Sequence, residues 1–287
     1  MDTCAPPAVI HVDLDGASAI YNMHGWKHPY HTDPLFETGI TSLLALLDDF
    51  GIKATLFVIA SDLDNPLKQA LLKKAVAHGH EIACHSYTHR KLTSLSDEEQ
   101  INEISASREY ISKVLGVPVD GFRAPYFDVN TDILLRIAEA GYKYDSSLFP
   151  GKTISDGGRR VETSQKPARV WEDHPLIELP LPAYSPLPFP FHASYSLVFG
   201  TWYFRLGMHR YRQTCMPLVL LFHLTDLAAP LPSERVNNWQ KKFFTLSYLD
   251  QAQKRKRCAK MLSHVVSNYR IVESSILLEE VQSGNYT

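Results

Sequence analysis

Two imidazoles stand four residues apart in His85-Ser86-Tyr87-Thr88-His89. In a helix or a tight turn, that spacing brings both rings to one face. Imidazole suits zinc, cobalt or nickel, and one carboxylate would complete a set of three protein ligands. The plainer reading is a pair of surface or capping histidines. Asp13-Leu14-Asp15-Gly16 supplies carboxylates. On a strand, Asp13 and Asp15 point to one side and Leu14 to the other. Two such carboxylates repel unless a cation or a shared proton intervenes, although the same residues also fit a solvated turn. Arg123-Ala124-Pro125-Tyr126 offers a guanidinium able to hold a carboxylate bidentately. Its proline stiffens the next turn and can aim a backbone N–H at an oxyanion; a structural salt bridge serves equally well. His223 ends an apolar run from Leu218 to Phe222 and fits either proton transfer or a satisfied core position.

The elements predicted around these residues place them together. Apolar runs over 8–12, 54–60, 81–84, 119–123, 142–144 and 218–222 read as strands. Helical spacing appears over 38–50, 66–78 and 130–140. A capping box at Ser96 and Glu99 opens a further helix that Gly116 closes. Strand-then-helix alternation implies an α/β fold with a mainly parallel sheet, open or closed into a barrel. In such folds, catalytic groups collect at the carboxyl ends of the strands. Asp13, Asp15, His85, Arg123 and Asp145 all fall at such ends, which argues for one active site. The segment 151–169 reads as a loop, and seven prolines between Pro167 and Pro190 exclude a regular helix there. A short strand at 176–179 remains compatible. The basic run Lys254 to Arg257 reads as a solvated helix face.

The composition narrows the function. Of 287 residues, 45% are apolar and 21% charged, as in ordinary soluble globular proteins. A net charge of -2 leaves no global basic field to recruit nucleic acid. Cys4, Cys84, Cys215 and Cys258 are scattered without a framework and read as free thiols. The first residues carry no basic and apolar leader, which predicts a cytoplasmic setting, up to the inner face of the membrane.

Taken together, the motifs resemble the polysaccharide deacetylase superfamily, the NodB-homology or carbohydrate esterase family four hydrolases. His85-Ser86-Tyr87-Thr88-His89 matches its H-[ST]-x-x-H motif. Arg123-Ala124-Pro125-Tyr126 matches R-x-P-[YF], and Leu220-Leu221-Phe222-His223 matches the late L-x-x-H. The usual first motif, T-F-D-D-G, has adjacent aspartates; here Leu14 separates Asp13 from Asp15, as in the branch with a D-x-D motif. The resemblance implies a distorted or incomplete TIM-like (β/α) barrel. It would form a single domain over 1–287, with a core at 8–150 and 215–287 and an inserted segment at 151–214. It implies that Asp15, His85 and His89 hold a divalent metal, zinc first, with cobalt or nickel as alternatives. Asp13 would be the base and Arg123 its orienting partner. The oxyanion would meet the Tyr126 N–H, and His223 would be the general acid. Asp145 is the expected partner of His223, with Glu178 as a second candidate and a substrate contact. Trp26, on the loop after the first strand, could stack on a sugar ring.

The implied reaction is hydrolysis of an N-acetyl or N-formyl group from an aminosugar in a glycan or a glycan precursor, lipid-linked precursors included. Two alternatives stay open. One is an amidase on a small ureide or cyclic imide, resembling allantoinases, with a closed pocket at an oligomer interface. The other is a catalytically silent carbohydrate-binding protein. Seven aromatics between Tyr184 and Leu206, followed by Arg205, Arg210 and Arg212, suggest either peripheral membrane contact or an inserted element packing on itself.

Overall fold

The computed structural model describes residues 5–28, 31–151, 153–156, 158–184, 189–231 and 246–284. Strand β1 (Pro7–Asp13) is followed by β2 (Thr55–Val58), β3 (Glu81–Cys84), β4 (Gly121–Phe122) and β5 (Tyr144–Asp145). Then come β6 (Thr153–Asp156), β7 (Arg159–Glu162), β8 (Ala168–Arg169), β9 (Ile177–Glu178), β10 (Ala183–Tyr184) and β11 (Phe189–Pro190). β12 (Leu218–His223) and β13 (Arg270–Ile271) complete the strands. Nine form one curled sheet in the order β12-β1-β2-β3-β4-β5-β9-β8, with β13 also on β1. All pairings are parallel except β8 on β9. Among the described residues β12 and β8 do not meet, so the barrel is incomplete, as expected.

β1 lies between β12 and β2 and is buried along its length. This explains its nearly continuous apolar sequence, since a central parallel strand is covered on both faces. Alternation divides its side chains. Ala8, Ile10, Val12 and Leu14 join the core between sheet and helices. Val9 joins a smaller interior cluster with Phe57, Tyr144, Val219 and Leu221. Helix Ser274–Ser283 plugs that interior with Leu277 and Leu278. Leu14 is thus a core residue, and its presence between the aspartates is a packing requirement.

Several boundaries differ from the sequence reading. The loop after β1 contains helix Ala17–Met23, and the next helix starts at Pro34, capped by Asp33. The segment read as a loop at 151–169 contains the hairpin β6–β7. The capped helix opening at Asp97 passes through a π-helical turn, Asn102–Ala106, before continuing over Ser107–Leu115. Lys254 corrects the view of its run as wholly solvated. It is fully buried in helix Gln251–Val266, where its Nζ donates to Thr225 O at 2.8 Å and Ala228 O at 3.0 Å. Burial pushes this ammonium down to about 8. Cys84, Cys215 and Cys258 are free, and Cys4 lies outside the described residues.

Candidate active site

The strand ends converge as the sequence suggested. β3 delivers His85, and the next four residues form a tight turn rather than a helix. Ser86 and His89 adopt left-handed φ values of 65° and 58°, and the Ser86 hydroxyl accepts from the His89 N–H at 3.0 Å. His85 Nε2 and His89 Nε2 stand 3.4 and 3.0 Å from Asp15 Oδ1. One ligand atom from each of the three residues lies within 4.8 Å of the others. His85 Nδ1–H donates to the Arg123 carbonyl at 2.8 Å, which turns the Nε2 lone pair toward Asp15. Asp15 Oδ1 is buried with no hydrogen-bond partner. Burial alone would raise its carboxyl, but His89 and His85 hold it well below the ordinary carboxylate range. A buried orphan oxygen facing two imidazole nitrogens fits a divalent transition ion.

Two supports for this cluster escaped the sequence reading. Fully buried Glu103, carried inward by the π-helical turn, accepts from the backbone N–H groups of Tyr87 at 2.9 Å and Thr88 at 2.8 Å, and from the Thr88 hydroxyl. Asp33 accepts from Ala17 N at 2.9 Å and Phe36 N at 3.0 Å, fixing the chain just after Asp15. Lys68 bridges Asp33 at 2.8 Å and Asp62 at 2.6 Å. A Cβ on Gly16 would lie 2.1 Å from Asp33 Oδ2, so this position of the D-x-D-G motif has no room for a side chain.

Asp13 points to the same side as Asp15. Its Oδ1 accepts from Arg123 Nη1 at 2.7 Å. Its Oδ2 lies 3.9 Å from His85 Nε2 and 3.8 Å from His223 Nε2, between the candidate metal ligands and the late histidine. Arg123 is fully buried and stacks over Phe57 at 4.0 Å. It also donates to Ser146 O and Ser146 Oγ at 2.7 Å each, and to His11 Nδ1 at 2.8 Å. A guanidinium has only donors. His11 therefore accepts through Nδ1 and donates through Nε2–H to Ser274 Oγ at 2.9 Å. Burial, with Arg123 beside it, holds His11 well below the usual imidazole range and keeps it neutral.

His223 is oriented differently from expectation. Its Nδ1 meets Ser194 Oγ at 3.0 Å, and that hydroxyl donates to Asp226 Oδ2 at 3.0 Å. Asp226 Oδ2 also accepts from the His223 N–H at 2.9 Å. The chain Asp226–Ser194–His223 leaves Nε2 facing Asp13. The structure thus brings Asp226, not Asp145, to His223. Asp145 turns to Ser147, accepting its hydroxyl at 2.8 Å and its N–H at 3.1 Å. The same hydroxyl accepts from the Ala124 N–H at 2.9 Å, tying Asp145 to the turn before Tyr126. Glu178 accepts from the Leu148 N–H at 3.0 Å. Burial raises the Asp145 carboxyl, and burial, with Asp145 beside it, raises that of Glu178 well above the carboxylate range. Their position makes Glu178 a support for this wall rather than an open contact.

Tyr126 is 40% exposed, with its ring centroid 5.0 Å from that of His89, so it borders the cleft. Tyr126 and Phe127 both have left-handed φ, at 59° and 56°. With Ser86 and His89, they account for four of the six non-glycine residues with positive φ among the described residues, a concentration of backbone strain at one site. Trp26 behaves otherwise: its described ring contacts are to Tyr21 at 6.2 Å and to His24, stacked at 4.9 Å. The inserted segment contributes His192, whose ring lies 5.5 Å from that of His223 and 4.6 Å from that of Tyr195. Its Nδ1 is buried without a partner, and burial holds its imidazole well below the usual range.

Parts of this chain resemble known proteins. Residues 32–144 match the polysaccharide deacetylase family. A bifunctional xylanase/deacetylase of Pseudobutyrivibrio xylanivorans is 33% identical over 126 residues, 44% of this chain and 20% of that protein. Chitin deacetylase 1 of Cryptococcus neoformans var. grubii is 31% identical over 99 residues, 34% of this chain and 21% of that one. A peptidoglycan deacetylase-like protein of Gibberella zeae is 28% identical over 158 residues, 50% of this chain and 46% of that one. The chain therefore spans less than half the length of these curated relatives. A crystal structure of a protein from Mycobacterium smegmatis, described as a polysaccharide deacetylase, superposes with a TM-score of 0.70 at 19% identity. The match covers 100% of this chain and 94% of that one. An allantoinase superposes with a TM-score of 0.66 at 12% identity, covering 100% of this chain and 94% of that one. These likenesses establish a shared barrel.

Proposed function

We propose that this chain, with its match to the polysaccharide deacetylase family over residues 32–144, is a metal-dependent hydrolase that removes an N-acyl group from an aminosugar. The observation that carries the reading is the meeting of three groups at the strand ends: the Asp15–His85–His89 cluster, the Asp13–Arg123 pair and the His223–Ser194–Asp226 chain. Asp15, His85 and His89 would hold the ion, zinc first. When bound, it supplies a Lewis acid that polarises the amide carbonyl and lowers the pKa of water.

The remaining chemistry belongs to the chain. Asp13 takes the proton of the attacking water through Oδ2, while Arg123 fixes its other oxygen. The strained turn aims the Tyr126 N–H at the developing oxyanion. His223, protonated on Nε2, gives a proton to the departing amine while Ser194 and Asp226 hold Nδ1–H. This division puts base and acid on adjacent register positions, since Asp13 pairs with His223 across β1 and β12.

The sugar reading is favoured over a small amide because the curated relatives named above are deacetylases. The experiment is acid release followed by proton NMR from zinc-loaded protein. Its panel holds N-acetyl and N-formyl aminosugars, free and lipid-linked, with a ureide and a cyclic imide. Acetate or formate, lost in His85→Ala, is the expected result. Ring opening without acid release would favour the small-amide reading. Tight sugar binding without metal would favour a silent binding protein.

A further inference from the structure

The inserted segment leads from the site to an unusual surface. Ring contacts run from His223 to His192 at 5.5 Å, to Tyr195 at 4.6 Å and to Phe199 at 6.0 Å. They continue to Tyr203 at 5.3 Å and Trp202 at 6.0 Å. The outer end of this track is exposed: Phe199 by 47%, Trp202 by 62% and Leu206 by 40%. Helix Thr201–Arg212 buries Phe204, Gly207, Met208 and Tyr211 on one face. Its opposite face presents Trp202 and Leu206 one turn apart, with exposed Arg205 and His209 between and beside them.

The charge around this ridge is one-sided. Helices Ala193–Phe199, Thr201–Arg212 and Gln251–Val266 together hold eight Lys and Arg and no Asp or Glu, in a chain whose net charge is -2. Lys254 is buried and Arg255 pairs with Asp49. Arg205, Lys256, Arg257 and Lys260 take part in no ion pair among the described residues. They line two adjoining clefts of about 340 and 350 Å³ with no carboxylate in either wall.

We propose that this face docks on an anionic lipid bilayer, with Phe199, Trp202 and Leu206 entering the interfacial layer and the cations meeting lipid phosphates. A neutral sugar polymer would use the aromatic faces but has no use for the cations, and an anionic one would still have no use for exposed Leu206. A bilayer uses both: aromatic and aliphatic side chains bury in the interface, and each basic residue adds attraction to anionic headgroups. Ser194, bonded to His223, and Phe199 lie on the same helix, so a docked molecule carries its cleft close to the headgroup plane. The substrate this implies is an aminosugar borne on a membrane lipid, an implication that rests on the deacetylase reading.

The test is co-sedimentation of the full chain with vesicles of phosphatidylcholine alone and of phosphatidylcholine with phosphatidylglycerol. Binding is expected only to the anionic vesicles, weakening as salt rises. Trp202→Ala should weaken it, and the pair Lys256→Glu and Lys260→Glu should lower affinity by about 25-fold or more, at about fivefold per lysine. All three positions are exposed, so an unchanged melting temperature separates lost docking from lost fold. Absence of wild-type binding to anionic vesicles would overturn the proposal, as would equal binding by the charge-reversed variant. A Trp202→Ala change in oligomeric state without vesicle binding would assign the ridge to a second copy of the chain. Binding only to a soluble anionic polysaccharide would assign it to a glycan. Vesicle binding reads no chemistry, so failed acid release with intact docking would refute the site reading alone.

Discussion

Glu81, at the start of β3, offers a test of how burial governs the strand that ends at His85. Its Oε1 accepts from the Tyr144 hydroxyl at 2.9 Å, and its Oε2 from the Ser275 N–H at 3.3 Å. Burial raises its carboxyl to about 7, with Glu273 and Asp120 adding to the rise against those two hydrogen bonds. The unfolded chain loses this proton near 4.5, whereas the folded chain keeps it to about 7. Between those values the folded state binds more protons, so this group's contribution to stability falls as pH rises through the window and is level above it. The full shift corresponds to about 3 kcal/mol, and partial exposure of the side chain brings the expected change to about 1–3 kcal/mol. Glu81→Gln removes the titration while keeping an acceptor for Tyr144. Denaturant unfolding of both proteins at intervals from pH 4.5 to 8 should show the variant gaining on the wild type by that amount. Its offset at pH 4.5 serves as the reference. Parallel stability curves would refute the reasoning, because they would show that the buried carboxyl pays no ionisation penalty.

Three further outcomes are expected. Glu103→Gln, which weakens the charge-assisted hold on Tyr87 and Thr88, should lower metal affinity by about 10–100-fold; competition with a chromophoric chelator measures it. Asp226→Asn should lower kcat by about 10–100-fold with little change in KM, and Ser194→Ala in the same background should add little, because both act through one hydrogen-bond chain. Gly16→Ala drives a methyl group to 2.1 Å from Asp33 Oδ2 and should destabilise by about 1–3 kcal/mol, read as a lower denaturation midpoint with unchanged slope.

The candidate site was legible where chemistry and strand ends coincide. Asp13, Asp15, His85, Arg123 and His223 each end or follow a short apolar run, and parallel topology brings those ends together. What escaped notice depends on backbone geometry that leaves little trace in sequence. Glu103 faces the His85–His89 turn from within a π-helical turn, where the capping box predicts a regular helix. Ser194 and His192 arrive from a proline-rich stretch with no periodicity to orient them. Asp145 does sit at a strand end, but Ser147 two residues later captures it, while Asp226 reaches His223 through a tight turn of three residues. Lys254 did have a signal: it continues the buried stripe of Cys258, Met261, Leu262 and Val265. The charge run hid the helical spacing.

The position of β1 has a consequence for how the molecule is made. Its register neighbours include Phe57 on one side and His223 on the other, and its first residues also meet Arg270 and Ile271. During synthesis, the candidate metal ligands Asp15, His85 and His89 emerge early, while one side of β1 stays open until β12 has been translated. An unpaired apolar edge held for that long invites association with other chains. Closure then depends on contacts between residues about 210 positions apart, and pairing at that separation carries a loop-closure cost before it is rewarded. A ribosome-bound chain shorter than β12 would carry the candidate metal ligands but lack His223, the proposed acid. On the proposed mechanism, hydrolytic competence would appear only once the sheet is complete.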